Sequence, residues 1–287
     1  MKMLRIALMT TVLAASGAPA SAQTQQGPMG AAQIAALLAN PDRTTADRTN
    51  DLRRKPQQML EFIGIRPGIV AADLSAAGGY TTELLAWSIG PSGTVYGQSQ
   101  ARDPNRAPPA AREGNSRPDL AAAPAAPPAA ATAPRPFPAG LLDRSERMAK
   151  AGVAFAPITG LVRPFADPFP PEIAAGRVDL VTLMFNYHDL GHMGIDRAAM
   201  NKAVFAALKP GGSYVIADHA GRAGTGISEA GTLHRIEEAF LRQEVEAAGF
   251  KLAAEGNFLR NPNDPRDQNT PNPPQPKDEF VLKFVKP

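Results

Sequence analysis

A chain of 287 residues with 30 basic and 27 acidic side chains is long enough for one large domain or two small ones. Its charge is too evenly balanced to signal a nucleic-acid partner. The absence of cysteine excludes disulfides, thiolate metal ligands and a lipidated N-terminal cysteine.

The first 22 residues read as a signal peptide. Lys2 and Arg5 precede an apolar run from Ile6 to Ala15, and Ala20-Ser21-Ala22 is a small-x-small cleavage site before Gln23. The run is too short to span a bilayer, and no twin arginine precedes it, so the expectation is an unfolded chain exported to the periplasm or beyond. Loss of Lys2 and Arg5 brings 30 basic residues to 28 against 27 acidic, a mature net charge of +1. No second long apolar run follows, so no membrane association is expected after cleavage.

Residues 23–63 are a short polar leader followed by helix from about 31, with a break near Pro56. Arg43/Asp47 and Asp51/Lys55 are spaced as i,i+4 pairs, which suits a solvated helix face. A functional alternative is that Arg53, Arg54 and Lys55 cap the mouth of a site. After a turn at 64–68 the pattern predicts a strand (69–74), a helix (79–89) and a second strand (93–98). Residues 101–140 then hold 14 Ala and 10 Pro, a density that blocks helix and sheet, and are expected to be a disordered insertion.

A helix (140–150) and a third strand (153–157) follow. The run Val178 to Phe185 has the continuous apolar character of a buried parallel strand. A helix (195–208) stops at Leu208-Lys209-Pro210-Gly211-Gly212, and a fifth strand runs over 213–218. A helix over 229–248 places Leu233, Ile236, Phe240, Val245 and Ala248 on one face. Strand six (250–258), a polar loop (260–278) and a last strand (280–285) close the chain. The alternation predicts an α/β fold: a doubly wound, Rossmann-like sheet over 64–287, mostly parallel with an antiparallel last strand, plus the N-terminal helices.

Three features resemble class I S-adenosylmethionine-dependent methyltransferases. These are the loop Asp73 to Gly79 after the first strand, Asp179-Leu180-Val181 opening the fourth, and the Leu208 to Gly212 turn before the fifth. With Glu246-Ala247-Ala248-Gly249-Phe250, the resemblance covers about 57–287 outside the insertion. The chain is most similar to a group of exported bacterial predicted methyltransferases that share Asn186 to Asp189, Leu233 to Ile236, and the segment from Arg260 to Asp267. The resemblance implies a methyl transfer from S-adenosylmethionine to a small-molecule acceptor by direct displacement, with Asp73, Ser75, Ala77, Gly78, Gly79, Gln98 and Asn186 at the cofactor.

The chain departs from the family pattern. The family loop reads Asp-x-Gly-x-Gly-x-Gly, and its glycine positions here hold Ser75, Ala77 and Gly79. A Cβ disfavours positive φ and narrows the backbone's approach to a ligand. Gln98 stands where the family places a ribose-binding acid, and Arg163, with Asp167 nearby, where an acid meets the adenine amine.

In a doubly wound sheet the ligand sits beyond the carboxyl ends of the strands. His188 is the candidate base, Asp189 its partner, and Tyr187 and Asn186 orient the acceptor or sulfonium. Asp218, His219 and His234 are candidate acceptor-binding residues. All four histidines, the fourth being His192, fall in the second half of the chain. His188 and Asp189 equally suit a bland role capping the strand–helix loop. No spacing such as H-E-x-x-H marks a metal site, and no resident metal is expected. Two alternatives stay open: a non-catalytic ligand-binding protein on this fold, and a metal-dependent enzyme using His188, Asp189, Asp218 and His219.

Overall fold

The computed structural model describes residues 27–101, 137–271 and 275–287. The expected signal peptide, and the expected insertion but for its two ends, lie outside the described residues. Helices α1 (Ala31–Leu38), α2 (Thr45–Arg54) and α3 (Pro56–Ile63) precede β1 (Val70–Leu74), α4 (Tyr80–Ile89) and β2 (Thr94–Ser99). Next come α5 (Ala139–Lys150), β3 (Ile158–Val162), β4 (Val178–Met184), α6 (Tyr187–His192), α7 (Arg197–Ala207) and β5 (Leu208–His219). Helix α8 (Glu238–Ala247), β6 (Lys251–Gly256) and β7 (Glu279–Val285) complete the order.

The strands form one seven-stranded sheet in the order β3-β2-β1-β4-β5-β7-β6. The first five are parallel, and β7 lies antiparallel between β5 and β6. The predicted fold class therefore stands, antiparallel last strand included. Alternation along the strands splits the core in two, because successive side chains point to opposite faces. Ala72, Val181 and Ile216 pack with α7 and α8 on one face. Ala71, Leu180 and Val215 pack with α1, α3, α4 and α5 on the other. Among the described residues, no helix is long and apolar enough to cross a membrane.

Four local expectations fail for physical reasons. The third strand lies at 158–162 rather than 153–157. Ala156 N–H is instead spent on the Ala86 carbonyl at the end of α4, and Pro157 has no N–H to give a ladder. The true β3 is a sheet edge with partly exposed residues, so it lacks the apolar signature of a buried strand. The helix expected over 229–248 begins only at Glu238. Ile236 is drawn into a bridge with Ala220, and buried Arg235 reaches the carbonyls of Ala220 and Gln268 and the carboxylate of Asp264 (2.8 Å). The periodic apolar pattern is met there by a coil.

The turn at 208–212 is absorbed into a long β5 as a register shift opposite Val178 and Leu180. Lys209 Nζ there binds both Asp179 oxygens at 2.8 Å. Finally, Arg43 and Asp47 are buried, not solvated. Arg43 binds Asp51 bidentately, and Asp47 binds Arg144 of α5 at 2.9 Å.

Helix α5 seats against the sheet through Leu141, which is 1 % exposed. A Cβ on Gly97 would stand 2.6 Å from Leu141 Cδ1, and one on Gly79 2.5 Å from Leu141 Cδ2. These glycines are there to admit the leucine. Leu141→Ala is expected to cost ~2–5 kcal/mol, read as a lower midpoint in urea denaturation.

Candidate active site

The carboxyl ends of β1, β2, β4 and β5 meet along one edge of the sheet. At the end of β1, Asp73 is 2 % exposed and its two oxygens accept from Thr82 Oγ1 (2.6 Å) and Thr182 Oγ1 (2.9 Å). One carboxylate thus ties β1 to the first turn of α4 and to β4. Burial pushes its pKa up to about 6, against the pull of the two threonine bonds.

The loop that follows keeps the conformation glycine would allow, without the glycines. Ser75 has φ 57°, Ala77 φ 49° and Gly79 φ 78°. Left-handed backbone costs an L-residue about 1–2 kcal/mol, so Ser75 and Ala77 hold stored strain. Their amides are held in place: Ser75 N–H points to Gln98 Oε1 at 3.4 Å, and Ala77 N–H donates to Ser99 Oγ at 3.2 Å. Gly78 is exposed, and a Cβ there would meet nothing within 4 Å.

Gln98 is buried and committed, since its Nε2 donates to the Arg163 carbonyl at 2.7 Å. It ties the β1 loop to the end of β3 rather than offering its amide to a ligand. Arg163 pairs with Asp167 on the surface.

Helix α2 ends over this loop. Arg53 and Arg54 lie on the Phe185 ring at 4.7 and 4.8 Å, and Arg54 also lies 5.2 Å from the Tyr80 ring. Arg53 pairs with Glu279, whereas Arg54 Nε is buried with no hydrogen-bond partner among the described residues. Burial, reinforced by neighbouring Arg53, lowers the Arg54 pKa to about 10. Arg54, Tyr80, Met184 and Phe185 border a cavity of about 20 Å³, roughly the room of one water. On the far side, Arg144 donates to the Gly78 carbonyl and pairs with Asp47 and Glu83, pinning α2 and α5 to α4. Of the three basic residues expected on a solvated face or at the mouth of a site, Arg53 and Arg54 pack inward on Phe185. The signal was the basic pair just ahead of Pro56. Lys55, by contrast, reaches out to the Phe258 carbonyl.

Beyond β4, Asn186 caps α6 without a side-chain bond. Tyr187 turns away from the site into the core, where its hydroxyl donates to Glu244 (2.9 Å) and accepts from Asn201 Nδ2 (2.8 Å). It is a packing residue, not a catalytic one.

His188 is 2 % exposed. Its ring Nδ1 lies 2.6 Å from Asp218 Oδ1 and its Nε2 3.2 Å from Asp189 Oδ1. Its backbone N–H also donates to Asp218 Oδ2 at 2.8 Å. Burial opposes the charged ring, but the two carboxylates outweigh it and push the pKa up to about 10. Both ring nitrogens face carboxylates of the protein itself, so this geometry does not present the free base expected of His188.

Asp218 and His219 are fully engaged rather than facing an acceptor. Asp218 also accepts the His219 N–H at 2.8 Å. The His219 ring is buried 3.1 Å from Glu279 and 5.3 Å from the His188 ring, and burial drives its pKa well down. His234, itself left-handed at φ 52°, is half-exposed with Nδ1 3.0 Å from Asp189 Oδ1.

A crystal structure of a SAM-dependent methyltransferase from Aquifex aeolicus aligns with 90 % of this chain and 100 % of its own, with a TM-score of 0.52 at 14 % identity. The fold is that of the class I methyltransferases. A putative methyltransferase from Haloferax volcanii, solved in complex with the Trm112 activator, is also similar (TM-score 0.49, 15 % identity, 84 % of this chain and 94 % of that one). No family model matches the chain, and no curated protein matches its sequence. In this methyltransferase fold the strained β1 loop and Arg54 stand at the ligand edge of the sheet.

Two outcomes test this description. Ala77→Gly is expected to raise stability by roughly 1 kcal/mol in urea denaturation, because relief of left-handed strain outweighs the added unfolded-state entropy. For Asp73, the folded chain keeps a proton between about pH 4 and 6 that the unfolded chain has released, so stability falls as pH rises through that window. Relative to wild type, Asp73→Asn should therefore gain up to about 3 kcal/mol between pH 4 and 7, read from denaturation at each pH.

Proposed function

We propose that this chain is a S-adenosylmethionine-dependent methyltransferase acting on a small-molecule acceptor. The observation that carries it is the left-handed loop of Ser75, Ala77 and Gly79 running into Tyr80, whose ring lies 5.2 Å from a buried arginine with an Nε unpartnered among the described residues. Strain kept at the ligand edge of the sheet, where glycine would relieve it, fits a loop shaped for a ligand. Arg54 supplies the complementary charge for a carboxylate, such as that of the methionine part of the cofactor. Gly78 leaves open space within the same loop.

When bound, the cofactor supplies a methyl group on a sulfonium, which an acceptor nucleophile displaces. The protein's share is alignment and exclusion of water. The pinned helices α2 and α5 roof the loop, and a roofed cleft suits a small acceptor better than a macromolecule. The 20 Å³ cavity is too small for the methionine part, so binding needs the lining side chains Arg54, Met59, Met184 and Phe185 to rearrange beneath the pinned α2. Asp189 and His234, both half-exposed, are the polar groups left to face an acceptor. A base drawn from the acceptor's own chemistry, or none, replaces His188.

Calorimetric titration with S-adenosylmethionine and S-adenosylhomocysteine is expected to give micromolar binding of both. Arg54→Leu should weaken both by roughly 10- to 100-fold, the worth of a charged hydrogen bond. No binding at millimolar ligand would instead favour a ligand-binding protein on a repurposed cleft. The same reading places the protein outside the cytoplasm after loss of residues 1–22. Intact mass of the exported protein should then correspond to a chain beginning at Gln23.

A further inference from the structure

Three side chains near the end of β4 converge, and two of them are the groups left to face an acceptor. Among the described residues, His188, Asp189 and His234 form the one group of three potential metal ligands whose donor atoms all lie within 4.8 Å of one another. His188 Nε2 and His234 Nδ1 approach the same oxygen, Asp189 Oδ1, at 3.2 and 3.0 Å. Metal–nitrogen and metal–oxygen bonds of about 2.1 Å place neighbouring donors roughly 3.0–3.4 Å apart. The two donor separations already fall at that spacing.

The surroundings of His188 add a second, independent feature. Its other ring nitrogen is held by Asp218, fully buried, at 2.6 Å. A carboxylate behind an imidazole fixes the tautomer with the hydrogen on Nδ1, leaves Nε2 as the donor, and raises its basicity. Asp218 is in turn fixed by the backbone N–H groups of His188 and His219. The orientation of the ring is thus imposed from behind, not by Asp189 alone.

Charge balance points the same way. Asp189 and Asp218 bring two negative charges to a cluster of three imidazoles. His219 belongs to a separate pair with Glu279, whose charge Arg53 answers. One divalent ion, displacing the proton held between His188 Nε2 and Asp189, balances the charges of Asp189 and Asp218. Asp189 and His234 are about 30 % exposed at their side chains, so an ion has access.

We propose that His188 Nε2, Asp189 and His234 Nδ1 bind a divalent first-row transition-metal ion, with Asp218 orienting His188. Two imidazoles and one carboxylate suit Zn²⁺, Co²⁺, Fe²⁺ or Ni²⁺ rather than Mg²⁺ or Ca²⁺, which prefer all-oxygen shells. Three protein donors leave coordination positions for water or for an oxygen of a small ligand. The donor set differs from the sequence-based one: His234 enters, His219 leaves, and Asp218 moves behind the ligand. It stands whether or not the chain transfers methyl groups.

The test is metal binding by the tag-free protein in the absence of any nucleoside. Zn²⁺ is titrated calorimetrically, and Co²⁺ by its visible absorption, which reports nitrogen and oxygen ligation directly. Wild type is expected to bind one ion with micromolar or tighter affinity. His234→Ala and Asp189→Asn, both at half-exposed positions, should each weaken binding at least tenfold, and Asp218→Asn by about 10- to 100-fold. His192→Ala, an exposed ring outside the cluster, should leave it unchanged. Absence of stoichiometric binding at millimolar metal, or equal affinity in His234→Ala and Asp189→Asn, would overturn the proposal. Equal or tighter binding of Mg²⁺ would overturn the choice of metal.

Discussion

A buried carboxylate held by two hydroxyl bonds ties the ligand edge of this sheet together. Asp73 accepts hydroxyl bonds from Thr82 and Thr182, so the end of the central strand, the start of α4 and the neighbouring strand cannot move apart independently. The same device recurs along the edge. Asp218 at the end of β5 gathers two backbone N–H groups and the His188 ring. Glu279, facing His219 across the β5–β7 register, is answered by Arg53. Charged groups taken out of water are expensive, and each of these has hydrogen-bond partners that offset part of that cost. The row is therefore rigid, and rigid edges are where reacting groups can be placed to within a fraction of an ångström.

The helical roof depends on that edge. The interactions of Arg144 with Asp47, Glu83 and the Gly78 carbonyl join α2, α4 and α5 around the strained loop. The strain in Ser75 and Ala77 persists because neighbours on every side over-determine the loop: Gln98 and Ser99 from β2, Leu141 beneath, and Arg144 above. Two arginines stacked on Phe185 complete the wall. Arg53 pairs directly with Glu279, whereas Arg54 Nε has no hydrogen-bond partner among the described residues.

The alternating pattern of the sequence carried the sheet well, because buried parallel strands such as Val178–Met184 are apolar on both faces and stand out. Edge strand β3 did not stand out, since half of it faces water. The amphipathic reading of 229–248 failed because burial periodicity does not distinguish a helix from a coil pinned by a buried guanidinium. Arg235 carried no such signal, as arginine is ordinarily a surface residue. Tyr187 read as a site residue from its neighbours in Asn186 to Asp189. Successive positions of the short helix α6 point in different directions, and its direction was the core.

By itself the sequence determined the architecture: strand and helix order, the parallel sheet with its reversed last strand, and the set of polar residues at the strand ends. It also determined that two glycines of the loop were missing. It could not say that the backbone stays left-handed without them, because that conformation is held by contacts from β2 and α5, distant in the chain. Nor could it sort the histidines. Residues 188, 189, 218, 219 and 234 are all polar and all near strand ends, but their roles depend on which nitrogen meets which carboxylate. Only the tertiary structure decided that Asp218 stands behind His188, that His219 belongs to Glu279, and that His234 folds back over Asp189. Such pairings act over about 3 Å, and sequence spacing does not encode distances that short between separate segments.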